Sequence, residues 1–328
     1  MGETVEYEEM GLGGCDDRNE CIEERSLTER LEPRIRVEKL FAESGRTYRR
    51  SKLDLWYKRR IEPRILKFGL QAVGLYERGV ENALTPVLRR VRLRFRNLPA
   101  AFEGFEILHL SDFHIDENEP LAERIASLVS GLKPDLCVFT GDYRFDVKGP
   151  CDAVYPPMRT VVASIRSEHG ILGVLGNHDA AEMAFALEEI GVRMLVNEAV
   201  EIRRRKESVW LAGIDDPFDY RCDDLPVALA NVPDDAFKIL LAHTPDRFEH
   251  AARLGVDLYL CGHTHAGQIR LPLIGSIKHN SKTPREYSFG HWVARQMQGY
   301  TTAGIGCSAL PIRYNCPPEA VLIELSRA

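Results

Sequence analysis

Five short apolar runs, each five or six residues long, are followed within two residues by an aspartate, an asparagine or a histidine. No other feature restricts the folding of this chain as much. The runs are Phe105–Leu110, Leu136–Thr140, Ile171–Leu175, Lys238–Ala242 and Asp257–Cys261. They lead, in order, into Ser111-Asp112-Phe113-His114, Gly141-Asp142, Gly176-Asn177-His178-Asp179, His243, and Gly262-His263-Thr264-His265. Runs of this length and character read as buried strands. Ligands of open α/β sheets bind beyond the carboxyl ends of the strands. A fold that aligns these five strands therefore collects their polar ends at one rim.

The segments between them read as helices. Pro120–Gly131 carries Leu121, Ile125 and Leu128 on one face, Ala153–Ser167 has an early break at Pro156-Pro157, and Ala180–Ile190 comes after the G-N-H-D stretch. Arg193–Val196 reads as a strand, and the second half adds Val209–Ile214, Tyr300–Ala303 and Ala320–Leu325. The β-α-β-α-β-α order predicts a parallel or mixed sheet covered by helices, and two packed sheets with outer helices accommodate both halves. Upstream, Val91, Leu93 and Phe95 alternate with Arg90, Arg92, Arg94 and Arg96. This half-exposed strand marks the domain start at residue 90. Its arginines suit an edge strand guarded against pairing as readily as a phosphate-binding strip.

Each polar motif alone has an ordinary reading. D-x-H fits a turn with a solvated histidine, Gly-Asp is a common turn pair, Asp179 could N-cap a helix, and His243 could be a satisfied core histidine. Their succession in one chain is the feature that points to a metal site. Mixed Asp, Asn and His donors without cysteine exclude a thiolate zinc site and favour Mn, Fe, Zn or Mg. Asp112, His114, Asp142, Asn177, His243, His263 and His265 are too many for one ion with open positions. They suit two divalent ions sharing a carboxylate. In extended backbone alternate side chains share a face, so His263 and His265 can point at one spot. The glycine before Asp142, Asn177 and His263 predicts a sharp turn with close backbone approach.

The ordered set D-x-H, G-D, G-N-H-D, H, G-H-x-H resembles the calcineurin-like metallophosphoesterase superfamily. The form G-H-T-H-x-G-Q and the tail G-I-G-C-S-A-L-P-I-R-Y-N-C-P-P-E at 304–319 are similar to its YkuE/YaeI-type phosphodiesterase branch, over residues 90–326. The resemblance implies an α/β fold, a four-layer α/β/β/α sandwich of two mixed sheets, here with an N-terminal helical extension. It implies a hydrolase of phosphoesters, a phosphodiesterase, with a hydroxide bridging two metals as nucleophile. Asp112, His114 and His265 would hold one metal, Asn177, His243 and His263 the other, and Asp142 would bridge. The two histidines of H-x-H then divide between the ions. His178 would protonate the leaving oxygen as general acid, and Asp179 would orient His178 through a carboxylate–imidazole hydrogen bond. The branch usually has glycine where this chain has Ala266, whose methyl would narrow the approach. The alternatives are a phosphomonoesterase of protein-phosphatase type and a non-catalytic metal-bound scaffold.

The first 89 residues have a different character. Residues 1–47 are acid-rich and read as a mobile tail leading to solvated helices. Residues 48–89 read as a basic amphipathic helical segment; between Arg49 and Arg96, 14 Lys or Arg face 4 Asp or Glu. Leu53, Leu55, Trp56, Ile65, Leu66, Phe68, Val73 and Leu75 are interspersed among them. Such a helix can lie on an anionic bilayer surface, which favours a substrate at or near a membrane: a lipid or nucleotide-sugar phosphoester rather than only a small diester. A net charge of -6 and a pI near 6.0 disfavour nucleic acid as the partner. Eight cysteines at irregular spacing, with no C-x-x-C, predict free thiols in a reducing compartment. With no leader-like start and no apolar run of roughly 20 residues, the expected location is cytoplasmic, peripheral at the inner membrane surface.

Overall fold

A computed structural model describes residues 25–44, 61–117, 120–276, 281 and 283–328. The acidic stretch 1–24 and the anchors Leu53, Leu55 and Trp56 lie outside the described residues. Two six-stranded mixed sheets form the centre. The first runs β1 (Val87–Phe95), β14 (Glu319–Arg327), β2 (Phe105–Leu110), β3 (Leu136–Phe139), β4 (Ile171–Gly173), β5 (Val192–Met194). The second runs β12 (Gly290–Ala294), β13 (Met297–Thr301), β9 (Leu258–Cys261), β8 (Lys238–Leu241), β7 (Glu207–Gly213), β6 (Glu198–Arg204). A small hairpin, β10 (Arg270–Leu271) with β11 (Gly275–Ser276), stands apart from both.

Side-chain alternation builds the layers. Ile107, Val138, Leu172 and Val174 from the first sheet meet Leu211, Ile239, Leu241 and Leu260 from the second in a buried inter-sheet core. The opposite faces of the same strands, with Leu108, Leu110, Cys137 and Phe139, meet the helices Leu121–Val129, Tyr155–Ser164 and Glu182–Ile190. Beyond the second sheet, Ala212, Leu240 and Tyr259 pack with Ala251 and Trp292. This is the four-layer α/β/β/α order. Within each sheet the strands that end in polar motifs run parallel: β2 to β3 to β4, and β8 to β9. Their carboxyl ends therefore lie on the same side.

Several local expectations change in detail. Pro156 and Pro157 do not break a helix; they occupy the first turn of Tyr155–Ser164, where a missing N–H costs nothing. β6 and β12 were not among the expected strands, and both are edge strands. The arginine strand begins at Val87 and is indeed an edge. Two of its four alternating arginines meet carboxylates of neighbouring strands: Arg92 bonds Glu324, and Arg90 lies 3.7 Å from Glu106.

The larger correction concerns the N-terminus. The helix Leu27–Ser44 is not solvated all round: Leu31 and Arg34 are fully buried. Leu31 joins the first helix–sheet core, with Leu27 and Ile35 packed beside it, and Arg30 pairs with Glu198 of β6. The scattered apolar residues of this segment gave a weak helical stripe, yet one turn-spaced row is enough to dock it. The six described cysteines are free. No helix among the described residues is long and apolar enough to cross a membrane.

Because the inter-sheet core sets the relative height of the two rows of strand ends, Leu211→Ala is expected to destabilise the domain by about 2–5 kcal/mol. Urea unfolding of the two proteins measures it.

Candidate metal centre

At the carboxyl ends of these strands the backbone turns sharply. Asp112, His114, Asp142, His263 and His265 all have positive φ, between 41° and 70°, a left-handed conformation that side-chain-bearing residues rarely adopt and that clusters at functional sites. His263 and His265 are therefore not on extended backbone as the H-x-H spacing suggested. Two glycines permit close approach. A Cβ on Gly176 would enter the Asp142 carboxylate, and one on Gly262 would enter the Asp112 carboxylate and the Ser111 hydroxyl.

The turns bring all seven candidate donors together. Donor atoms of Asp112, His114 and His265 lie within 4.8 Å of one another, as do those of Asp142, His243 and His263, and those of His114, Asp142 and His178. His114 and His265 face each other Nε2 to Nε2 at 3.2 Å, and His265 Nε2 is 3.4 Å from Asp112 Oδ1. On the other side His243 Nε2 lies 3.2 Å from His263 Nδ1, 3.1 Å from Asn177 Oδ1 and 3.2 Å from Asp142 Oδ2. His263 and His265 fall in different groups. Asp142 stands between the groups, with His114 Nε2 at 3.6 Å and His178 Nε2 at 4.0 Å.

Backbone carbonyls set the ring orientations. The Arg144 carbonyl takes His114 Nδ1 at 2.8 Å, and the Thr140 carbonyl takes His243 Nδ1 at 2.7 Å. In each ring Nε2 is thereby turned inward. Burial pushes the His114 imidazole down to about 3 and holds His265 well below its ordinary value, so both keep free lone pairs. Burial also lifts Asp142 to about 7. Burial works against protonation of His243, yet Asp142, Asp112 and Asp216 together raise it to about 10. The site packs two buried carboxylates, Asp112 and Asp142, against its imidazoles. Its oxygen and imidazole donors fit a borderline or hard divalent ion.

Asp179 departs from expectation. It does not orient the His178 ring, nor does it cap the following helix, which begins at Glu182. Its carboxylate lies fully buried beneath the turn and accepts from the N–H groups of Asp142 and Tyr143 at 2.8 Å, Gly176 at 2.7 Å and Arg144 at 3.4 Å. The His178 Nδ1 is instead met by the Phe145 carbonyl, and Arg144 Nε donates to the His178 carbonyl at 2.5 Å. His178 remains half-buried at the edge of the cluster.

Residues outside the predicted set complete the surroundings. Asp219 accepts from Asn177 Nδ2 at 3.2 Å, which turns Asn177 Oδ1 inward. Asp216 holds the turn that carries Asp219, accepting from the N–H groups of Phe218, Asp219 and Tyr220. These aspartates come after the apolar run Val209–Ile214, so they obey the strand-end grammar; the missing histidine hid them. Arg313, fully buried, donates to the His265 carbonyl at 3.3 Å and the Ala303 carbonyl at 2.9 Å. Ala266 sits at φ 48° with its methyl buried against Ala303 and Cys316. It fills a packing space and does not narrow an open approach.

A four-layer sandwich with a rim of Asp, Asn and His donors defines a metal-dependent hydrolase of phosphoesters. Residues 105–267 match the calcineurin-like phosphoesterase family. The phosphodiesterase YaeI of Escherichia coli is 32% identical over 248 residues, covering 73% of this chain and 87% of that protein. The metallophosphoesterase YkuE of Bacillus subtilis is 30% identical over 242 residues, covering 70% of this chain and 81% of its own length. A bovine transmembrane protein with a metallophosphoesterase domain is 33% identical over 224 residues, 61% of this chain and 48% of that one. This chain belongs to the calcineurin-like metallophosphoesterase family, alongside YaeI and YkuE.

The close fit of Gly262 against Asp112 yields a direct expectation. Gly262→Ala should displace that carboxylate and lower metal affinity about 10–100-fold with the fold retained. Metal titration alongside circular dichroism checks it.

Proposed function

We propose that the protein is a phosphodiesterase working with two divalent ions. Asp112, His114 and His265 hold one ion, Asn177, His243 and His263 the other, and Asp142 is shared. The observation that carries this reading is the pair of donor groups meeting at Asp142, each with ring nitrogens turned inward. When bound, such ions supply Lewis-acid charge and make water a nucleophile at neutral pH. The chain's own residues do the rest. Asn177 presents its oxygen because Asp219 takes its amide N–H. His178 keeps Nδ1 on the Phe145 carbonyl and leaves Nε2 toward the cluster, where it protonates the leaving oxygen. Its own orientation comes from that carbonyl, with Asp179 shaping the turn beneath it.

The name of the Escherichia coli relative supports diesters over monoesters. His178→Ala is expected to retain its metals while losing about 10²–10⁴-fold in turnover of a model diester, the range of a general acid. Metal analysis with a panel of diesters and monoesters tests the whole reading; a preference for monoesters would overturn it.

A second reading concerns location: peripheral contact with an anionic bilayer, bringing the site to a lipid-borne phosphoester. The helix Glu62–Ala72 carries Arg64 and Lys67 and leaves Ile65 64% and Phe68 74% exposed. The hairpin between β10 and β11 leaves Leu273 and Ile274 exposed. Tyr314 adjoins both: its hydroxyl donates to the carbonyl of Leu75, just past that helix, and its own carbonyl accepts from the N–H of Arg270 in β10. That residue adjoins Arg313, which backs His265. Pelleting with anionic vesicles is expected for the parent chain and should weaken severalfold in the Ile65→Glu, Phe68→Glu double variant. Equal pelleting would sink this reading.

A further inference from the structure

We propose that the helix Leu27–Ser44 is part of the catalytic unit and that Arg34 is a positioning residue for Asn177 and His178. The proposal rests on the reading of the metal centre as a phosphodiesterase site. Arg34 is fully buried. Its Nη2 donates to the Gly176 carbonyl at 2.5 Å and the Asp179 carbonyl at 2.7 Å. Those carbonyls belong to the residues immediately before and after the Asn177-His178 pair. Its Nη1 pairs with Asp215, which is itself buried, and its Cζ lies 3.8 Å from the centre of the Tyr220 ring. The Tyr220 hydroxyl donates to the same Asp179 carbonyl at 3.1 Å. One turn further along the helix, Glu38 accepts from the Ala181 N–H at 2.7 Å.

Docking alone does not account for this arrangement. Leu31, Leu27 and Ile35 already attach the helix to the core, and Phe41 contacts Tyr220 with ring centroids 5.6 Å apart. A buried ion pair is a poor source of stability compared with apolar packing of the same volume. The guanidinium fork instead spans a carboxylate, two carbonyls and a ring at once, geometry that an ammonium on a flexible stem cannot copy. The G-N-H-D turn is thus held from two sides: by the Asp179 carboxylate taking N–H groups, and by Arg34 taking carbonyls. The helix lies upstream of residues 105–267, which match the family, so the clamp on the turn comes from outside that region.

The test uses the full-length, metal-loaded protein with Arg34→Lys and Arg34→Met. Hydrogen exchange is followed across peptides including 174–182, together with the thermal midpoint, metal content and kinetics on bis(p-nitrophenyl) phosphate. Both variants are expected to exchange faster in 174–182 than elsewhere. Turnover should fall about 10–100-fold, the range for partners that orient a site from outside it, with KM little changed. Unchanged exchange in 174–182 would overturn the proposal. So would acceleration spread evenly over the protein, which assigns Arg34 to global stability alone. If Arg34→Met does not accumulate folded, Arg34→Lys, which keeps a cation beside Asp215, carries the same comparison. A parent protein inactive on every diester would instead refute the phosphodiesterase reading, while the exchange result still decides the clamp.

Discussion

The carboxylate of Asp179 is the contact on which the rest of the site depends. It lies beneath two strand ends and accepts from N–H groups of both: Asp142, Tyr143 and Arg144 after β3, and Gly176 after β4. Strands that end in tight, partly left-handed turns leave backbone donors without ladder partners, and a buried unpaired donor is costly. One side chain with two oxygens removes the problem for four of them. It also fixes the spacing between Asp142 and the Asn177-His178 pair, which are donors or neighbours of the same centre.

Acceptors pose the converse problem, and buried arginines solve it. Arg34 serves the carbonyls of Gly176 and Asp179, Arg144 those of His178, Val147 and Gly149, and Arg313 those of Ala303, Gly304 and His265. Each guanidinium offers several donors in one plane, which matches clustered carbonyls at a sharp turn. The Asn177 side is supported from an N-terminal helix and the His265 side from the 304–319 tail. Elements distant in the chain thereby converge on the two halves of one cluster.

Much of this was legible from local pattern. Apolar runs of five or six residues followed by Gly-Asp, Gly-Asn-His or Gly-His have few readings, because the length marks buried strands and the ends mark a rim. The glycine signal had its expected cause at Gly176 and Gly262, where a Cβ would enter a carboxylate. The H-x-H argument singled out two residues that do cluster, but through the wrong conformation: left-handed turns at His263 and His265, not alternation along a strand, aim the two rings at different groups. Asp219 and Asp216 were missed because no histidine follows their strand end, as one does at four of the other five.

By itself the sequence located the five strands with polar ends, pointed to a parallel or mixed sheet, and marked the candidate donors, since periodicity and residue chemistry act over a few neighbours. Only the tertiary structure decided the partners. Asp179 lies beside the histidine it was expected to orient, yet its carboxylate faces backbone 35 to 37 residues away. Arg34 meets Asp215 across 181 residues, and nothing near it in the chain records that contact. The physical reason is burial: inside the fold, hydrogen-bonding groups take whatever partner the packing brings, and the packing is set by both sheets and the helices around them.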